Sequence, residues 1–354
     1  MFNTYLWSTF ALEALPSVRE PGHIVGPVAT IMGKFYNMLF NGLHQHLDVG
    51  VGVLGLAIII FTLIVKLILF PLMVNQQKSS FKMQMFQPEL NRIREKYKGK
   101  TDQMSQQRMA FEMQDFQKKN GIHMMSGCLP MLIQFPILIA LFYLFQNAYV
   151  YVDTIGQNYV DIANAIINIP ASIRMDAFGI YAKDFVDAYS KLDIFKQGFD
   201  MSNVDHVVML INNLKADEWT AIMNTLGSAG DSLVPLLQTK NHIETFLTIP
   251  LISKAGLGFP GIILPIAAGV STYVQSKIMM VMNPTQNDPN NPAAAMSKTM
   301  LYVMPLMMGF MTIGMPAALG LYWTISNIFG IIQQVILQKY FKKKFQREAA
   351  QQNG

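Results

Sequence analysis

The chain has 354 residues, 51% hydrophobic and only 14% charged, with a mean hydropathy of +0.28. This is a membrane-protein composition and argues against an ordinary soluble fold. The single cysteine, Cys128, excludes an internal disulfide and a thiol-rich metal site, and the net charge of +5 gains meaning only once the charges are placed by region.

Residues 1–22 are weakly apolar, carry no basic leader and are interrupted by Glu13, so no cleavable signal peptide is expected. No cysteine precedes Cys128, and a lipid-modified N-terminus is not expected either. From Ile24 to Leu47, Val28, Ile31, Phe35, Leu39 and Leu43 recur at helical spacing, and Pro27 suits a first turn. Lys34, Asn37, Asn41 and His44 fall largely on other faces. The pattern predicts an amphipathic helix lying in the membrane interface within an external segment, 1–48. A helix packed on a soluble domain is the alternative.

Val51–Met73 reads VGVLGLAIIIFTLIVKLILFPLM, apolar except for Thr62 and Lys66. It is long enough to cross a bilayer and marks a first span, 49–74. A charge at the centre of such a helix costs roughly 2.5–3.5 kcal/mol on insertion scales. Lys66 stands seven residues before Met73, about 10 Å of helix. A lysine stem of about 6 Å covers only part of that depth. Thr62 lies one turn earlier on the same face, so the pair forms a polar stripe. The stripe favours a functional intramembrane charge over a snorkelling one.

Asn75–His123 carries ten Lys/Arg against five acids. Its two halves suit helices, with the turn at Lys98-Gly99-Lys100-Thr101, giving a basic helical hairpin over 75–123. It reads either as a solvated charged loop or as a docking surface for lipid headgroups or ribosomal RNA. A second span, 124–148, contains Cys128, an inert buried thiol by its apolar setting. Gln134 stands between Pro130 and Pro136, whose kinks can shape a cavity wall. Tyr149–Lys254 has twelve acids against seven basic residues and several stretches of helical spacing. This predicts a helical insertion, 149–256, with breaks near Gly227-Ser228 and Gly230, and with Asp217 capping or opening one helix. DMSNVD lacks the glycine and terminal glutamate of a calcium loop, so its acids read as solvated surface. The third span, 257–282, carries Gln275 near its end. A Pro/Asn-rich loop, 283–298, leads to the fourth span, 299–316, and Pro316 separates it from the fifth, 318–338. Tyr322 and Trp323 open the fifth span as aromatic residues often do at an interface. The tail, 339–354, is basic.

Seventeen of the 27 Lys/Arg fall in the hairpin, the 283–298 side of the third and fourth spans, and the tail. The positive-inside rule places these in the cytoplasm, the N-terminus outside and the C-terminus inside.

Five stretches, FTLIVKLILFPL, QPELNRIREKYKGK, GCLPMLIQFPILIALF, LPIAAGVSTYVQ with KIMMVMNP, and MPAALGLYWTISNIFGIIQQ, occur in that order. Together they resemble the YidC/Oxa/Alb3 membrane protein insertases, over all five spans and the hairpin. The resemblance implies an all-α membrane protein of the bacterial plasma membrane. Five transmembrane helices would surround a hydrophilic groove open to the cytosol, with a cytoplasmic hairpin and here an extracellular helical insertion. It implies no chemical reaction, no cofactor and no DNA. The partners it implies are nascent membrane proteins, the lipid bilayer, the ribosome and a Sec translocon. Lys66 corresponds to the groove's basic residue, and Thr62, Gln275 and Trp323 to groove positions. Gln134 is added from its place between two prolines. Lys82, Arg92, Arg94 and Lys96 of the hairpin, with Lys342, Lys343 and Lys344 of the tail, would dock ribosomes or other partners. The chain departs from the family in having lysine where arginine is usual, which keeps the charge but loses the bidentate fork. It also departs in its insertion between the second and third spans, and in lacking a lipoprotein cysteine.

Three rivals stand beside this reading. The 26 methionines, among them Met279, Met280, Met282, Met304, Met307, Met308 and Met311, could serve a copper transporter. They equally fill adaptable apolar surface, and no Cys or His stands near them at ligand spacing. An intramembrane enzyme finds no HExxH or GxSG motif. An assembly factor without insertase activity is the third.

Overall fold

The computed structural model describes residues 22–23, 25–47, 52–122, 129–189, 198–282 and 293–352. Cys128 and residues 1–21, where no signal peptide is expected, lie outside them. The described residues are mostly helical, with one two-stranded hairpin, and the chain divides into two compact units.

The first unit holds residues up to Phe61, Pro136–Ile263 and Ile313–Leu321. Helix α1 (Val25–His46) buries Ala29, Gly33, Tyr36, Asn37 and Phe40. The stripe predicted from the sequence is therefore not the buried one: Ile31 is 69% exposed, and the packed face lies one position round the helix. Aromatic packing explains the offset. Tyr36 stacks edge-on against Phe61 and Phe145 and donates to the Leu54 carbonyl at 3.1 Å. Leu54 and Phe61 belong to α2 (Val53–Ile68), which follows the positive-φ Gly52. A Cβ at Gly52 would lie 2.0 Å from the Thr245 carbonyl oxygen, so only glycine fits beneath the β1 (Thr245–Phe246) and β2 (Ile249–Pro250) hairpin.

The insertion packs as a helical subdomain. After α6 (Leu129–Gln146) and the short α7 (Ala148–Tyr151) come α8 (Asp153–Ile167), α9 (Ala171–Tyr189), α10 (Val204–Asn213), α11 (Ala216–Leu226) and α12 (Leu233–Glu244). Helix α8 packs against α10 and α12 and buries Ile155, Tyr159, Ile162 and Ile166. Its N-cap position is Val152, which offers no side-chain acceptor. Asn37 of α1 fills that role, accepting from the Asp153 backbone N–H at 3.0 Å and donating to its carboxylate at 2.7 Å. Asn37 is thus a buried cap and not part of a solvated face. Asp217 sits in the first turn of α11 and is not its cap; Glu218 instead accepts from the Lys215 backbone N–H at 2.7 Å. Asn203 of DMSNVD caps α10.

The second unit holds Thr62–Phe135, Leu264–Thr312 and Tyr322 onward. The Val51–Met73 run does not form one straight helix. Helix α2 ends at Ile68, and α3 (Phe70–Met85) leaves it at a 58° bend. Pro71 in the first turn of α3 lacks an N–H, and its ring opposes the carbonyl of Leu67. Lys66 therefore stands in the last turn of α2, and the depth estimated from a straight helix does not apply. The hairpin continues through α4 (Gln87–Lys96) and, after the turn at positive-φ Gly99, α5 (Gln103–Lys119), capped by Asp102. Lys82 staples its base by donating to the Asn120 carbonyl at 3.1 Å, and Lys96 pairs with Glu112 at 2.9 Å near its tip.

Helices α13 (Ile263–Met282) and α14 (Ala293–Ile313) approach closely at Gly269 and Gly309, where each added Cβ would press on a carbonyl of the other helix. Helix α15 (Ala317–Gln352) is 36 residues long and unbroken. The tail predicted as a separate segment is its C-terminal end, because QKYFKKKFQREAAQQ contains no glycine or proline. Phe341 and Phe345, one turn apart, pack on Phe81. By length and hydropathy alone, one helix among the described residues can cross a membrane, Ala317–Glu348, with the bent α2–α3 pair a second.

In the insertion, Tyr159 donates to Glu244 at 2.8 Å, and Lys240 pairs with the same carboxylate at 2.6 Å. Glu244 is 3% exposed. Burial first, and the Glu244 charge second, push the Tyr159 phenol well above its ordinary range. Removing one partner of a buried pair costs about 3–5 kcal/mol. Lys240→Met is therefore expected to lower the thermal unfolding temperature of the purified protein in detergent. Adding Glu244→Gln to it is expected to recover most of the loss.

Candidate functional site

Polar side chains in the apolar part of the second unit gather in two clusters. In the first, the Lys66 ammonium lies 3.5 Å from Gln134 Oε1, and Gln134 Nε2 donates to the Tyr322 hydroxyl at 2.8 Å. Each helix supplies its group for a local reason. The break at Leu69 puts Lys66 at the end of α2. Pro136, two residues on inside α6, has no N–H to close the helical hydrogen bond there. Tyr322, at the start of the fifth span, is 1% exposed with its hydroxyl accepting from Gln134. Thr62 is fully buried one turn before Lys66.

The second cluster joins α13 to α15. Trp323 Nε1 donates to Thr272 Oγ1 at 2.8 Å. The Asn327 amide lies 3.0 Å from Ser271 Oγ and 2.9 Å from Thr272 Oγ1. With its nitrogen facing the other way it donates to Gln275 Oε1 at 2.8 Å, which satisfies both ends. Gly330 leaves the room Gln275 occupies. A turn and more further along, Gln338 receives from Gln77 at 3.2 Å and donates to Gln84 at 3.1 Å. Tyr322 and Trp323, neighbours on α15, belong one to each cluster.

The structure therefore gathers Lys66 with Gln134, and Gln275 with Trp323. The sequence reading passed over Asn327, Ser271, Thr272 and the glutamines near the tail. A signal was present: Trp323, Asn327, Gly330, Gln334 and Gln338 recur at steps of three and four along an otherwise apolar helix. Of the docking residues, Lys82 and Lys96 are engaged within the hairpin, and Arg94 donates to Asn91 at 3.0 Å. Arg92, Lys342, Lys343 and Lys344 are exposed. Among the described residues, no three His, Cys, Asp or Glu side chains form a metal-binding group.

A mostly helical protein that keeps a lysine and a set of amides and hydroxyls among apolar segments has the make-up of a membrane protein with a polar functional site. Residues 46–344 match the family described as 60Kd inner membrane protein. The chain is 31% identical to the membrane protein insertase YidC of Oceanobacillus iheyensis, over 80% of this chain and 74% of that protein. It is 30% identical to the membrane protein insertase YidC 2 of Bacillus anthracis, over 80% of this chain and 71% of the relative. It is also 30% identical to the membrane protein insertase MisCA of Bacillus subtilis, over 80% and 70%. The chain belongs to this family of YidC/Oxa/Alb3 insertases. It is a bacterial cell-membrane insertase that acts on nascent membrane proteins without catalysing a reaction. The copper-transport, enzyme and assembly-only readings find no support in these likenesses.

Asn327→Leu removes the amide that joins Ser271, Thr272 and Gln275 and leaves buried polar groups unpaired, at about 1–3 kcal/mol each. The expected outcome is a lower unfolding temperature in detergent and a shifted emission maximum for Trp323, measured by fluorescence against a background with the other two tryptophans replaced.

Proposed function

We propose that the five apolar segments, 49–74, 124–148, 257–282, 299–316 and 318–338, span the membrane around a hydrophilic groove open to the cytosol. Its polar lining consists of Lys66, Gln134, Thr62, Gln275 and Trp323, extended by Tyr322, Thr272 and Asn327. The N-terminus lies outside and the C-terminus in the cytoplasm. The 149–256 insertion is extracellular, and α1 lies in the outer interface with Ile31 and Met38 toward lipid. The charge distribution along the chain supports this orientation.

One observation carries the mechanism. The five segments contain no aspartate or glutamate at all, and Lys66 rests on a neutral amide. A cation held in an apolar protein without a counter-ion attracts any carboxylate that comes near. Two unit charges 4 Å apart gain about 1 kcal/mol in bulk water and about 4 kcal/mol at an effective dielectric of 20. The groove thus favours the acidic N-terminal tail of an incoming protein. Its amides and hydroxyls replace part of the water the tail gives up, which lowers the cost of carrying a short polar segment part-way across. The hydrophobic segment that follows then moves sideways into lipid, driven by loss of its apolar surface from water.

The exposed Arg92, Lys342, Lys343 and Lys344, with the rest of the basic hairpin and the end of α15, face the cytosol in this arrangement. They suit electrostatic docking of a ribosome carrying the nascent chain, with or without a Sec translocon beside it.

Reconstituted insertion tests this reading. Purified protein in liposomes is expected to give protease protection to a small single-span substrate with an acidic N-tail. Lys66→Arg should retain insertion and Lys66→Ala should lose most of it, about tenfold or more. Equal insertion by wild type and Lys66→Ala refutes the charge-capture mechanism.

A further inference from the structure

We infer that Gln134 is the residue that decides which substrate tails the groove favours, by holding Lys66 in reserve without neutralising it. The inference rests on the groove reading above and deepens it.

The amide of Gln134 is oriented by its two partners. Its nitrogen donates to the Tyr322 hydroxyl at 2.8 Å, so its oxygen is left to face Lys66. Tyr322 is itself buried, at 1% exposure, so its hydroxyl has little room to move. Gln134 cannot rotate by half a turn without setting its NH₂ against the ammonium. The side chain is therefore a directional acceptor held in place from behind by Tyr322.

The contact it makes with Lys66 is weak by construction. At 3.5 Å it is at the outer limit for an N–H···O hydrogen bond, and its acceptor is neutral. A carboxylate makes a shorter contact and adds the attraction of a full opposite charge, which a neutral amide lacks. An acidic tail therefore displaces Gln134 from Lys66 with a gain. A tail carrying only amides or hydroxyls offers nothing that Gln134 does not already supply, and it exchanges like for like. Gln134 thereby sets the threshold that a ligand for Lys66 must exceed, and the threshold lies between a neutral acceptor and an anionic one. Among the described residues Lys66 has no ion pair, so the amide is its resting partner. A carboxylate at position 134 would convert the reserve into a closed ion pair and remove the preference for acidic tails.

The test compares two single-span substrates that differ only in two N-tail positions, Asp-Asp against Asn-Asn, inserted by the full-length protein in liposomes. Wild type, Lys66→Ala, Gln134→Glu and the similar-sized neutral Gln134→Met are measured side by side. The Asp-tail advantage of wild type over Lys66→Ala tests the groove reading by itself. Where that advantage exists, Gln134→Glu is expected to slow the Asp-tail substrate about tenfold and to leave the Asn-tail substrate within about twofold. Gln134→Met is expected to leave the Asp-tail substrate within about twofold, since Lys66 stays unneutralised, and to speed the Asn-tail substrate, which no longer competes with the Gln134 amide. A zero-length carbodiimide should also join Lys66 to the introduced carboxylate, detected as a cross-linked peptide by mass spectrometry. Full retention of the Asp-tail advantage by Gln134→Glu overturns the inference. So does equal loss of both substrates in Gln134→Glu or in Gln134→Met, which would make Gln134 a structural residue. Absence of the cross-link overturns the placement itself.

Discussion

A positive charge kept among apolar helices with no negative charge to meet it is the constraint on which the second unit depends. Burying a charge without a partner is costly, and the ordinary remedy is a carboxylate nearby. Here the five apolar segments contain none. The charge is supported instead by dipoles: the Gln134 oxygen, with the Tyr322 hydroxyl behind it. Dipoles stabilise a cation without cancelling it, so the field of Lys66 remains available to a ligand. A lysine fits this support better than an arginine would. A guanidinium presents five donors in a rigid fork and needs two acceptors side by side, whereas a single amide oxygen serves a point charge. The departure from the family's usual arginine is thus matched by what stands opposite it.

The same logic explains why the polar positions of α15 are amides and hydroxyls. Trp323, Asn327, Gln334 and Gln338 can each donate, and all but the tryptophan can also accept. In the groove proposed above, such groups exchange hydrogen bonds with a passing peptide without holding any one sequence tightly. The Phe341 and Phe345 contacts with Phe81 then pin the far end of the helix to the hairpin's first helix. Because α15 has no break, the segment that bears the amides and the segment that bears Lys342, Lys343 and Lys344 form one rigid rod.

Much of this is legible in the amino-acid sequence, and for a physical reason. Lys66 is conspicuous because charges are expensive in apolar runs, and Gln134 because a polar residue between two prolines rarely has a lipid-facing purpose. Asn327 and Thr272 were passed over because single amides and hydroxyls in a long apolar helix raise no such alarm; only their common face does. The buried side of α1 was misplaced because hydrophobicity alone cannot distinguish lipid from protein as a neighbour. Ile31 and Tyr36 both score as apolar, and packing on Phe61 and Phe145 selects Tyr36. The bend at Leu69 was foreshadowed by Pro71, yet a proline in a membrane helix is often accommodated as a mild kink. Long-range partnerships, such as Asn37 capping α8 from 116 residues away, leave no local trace.

The distribution of apolar surface bears on where the polar lining can work. In the second unit, Leu306 and Phe310 of α14 are 76% and 78% exposed, and Ile266 and Val270 of α13 are more than half exposed. Ser271, Thr272, Ser326, Asn327, Gln333 and Gln334 are buried. Water would penalise the first set, and an apolar interior the second, if this were a soluble fold. In a bilayer the exposed set costs nothing, since lipid tails are as apolar as leucine. Within the buried polar set, Ser271, Thr272, Asn327 and Gln275 satisfy one another, which lowers the cost of burying them. In the groove proposed above, these hydrogen bonds are exchanged one at a time for bonds to a substrate tail, so that no step leaves several polar groups unpaired together and the barrier stays low without an energy-yielding reaction.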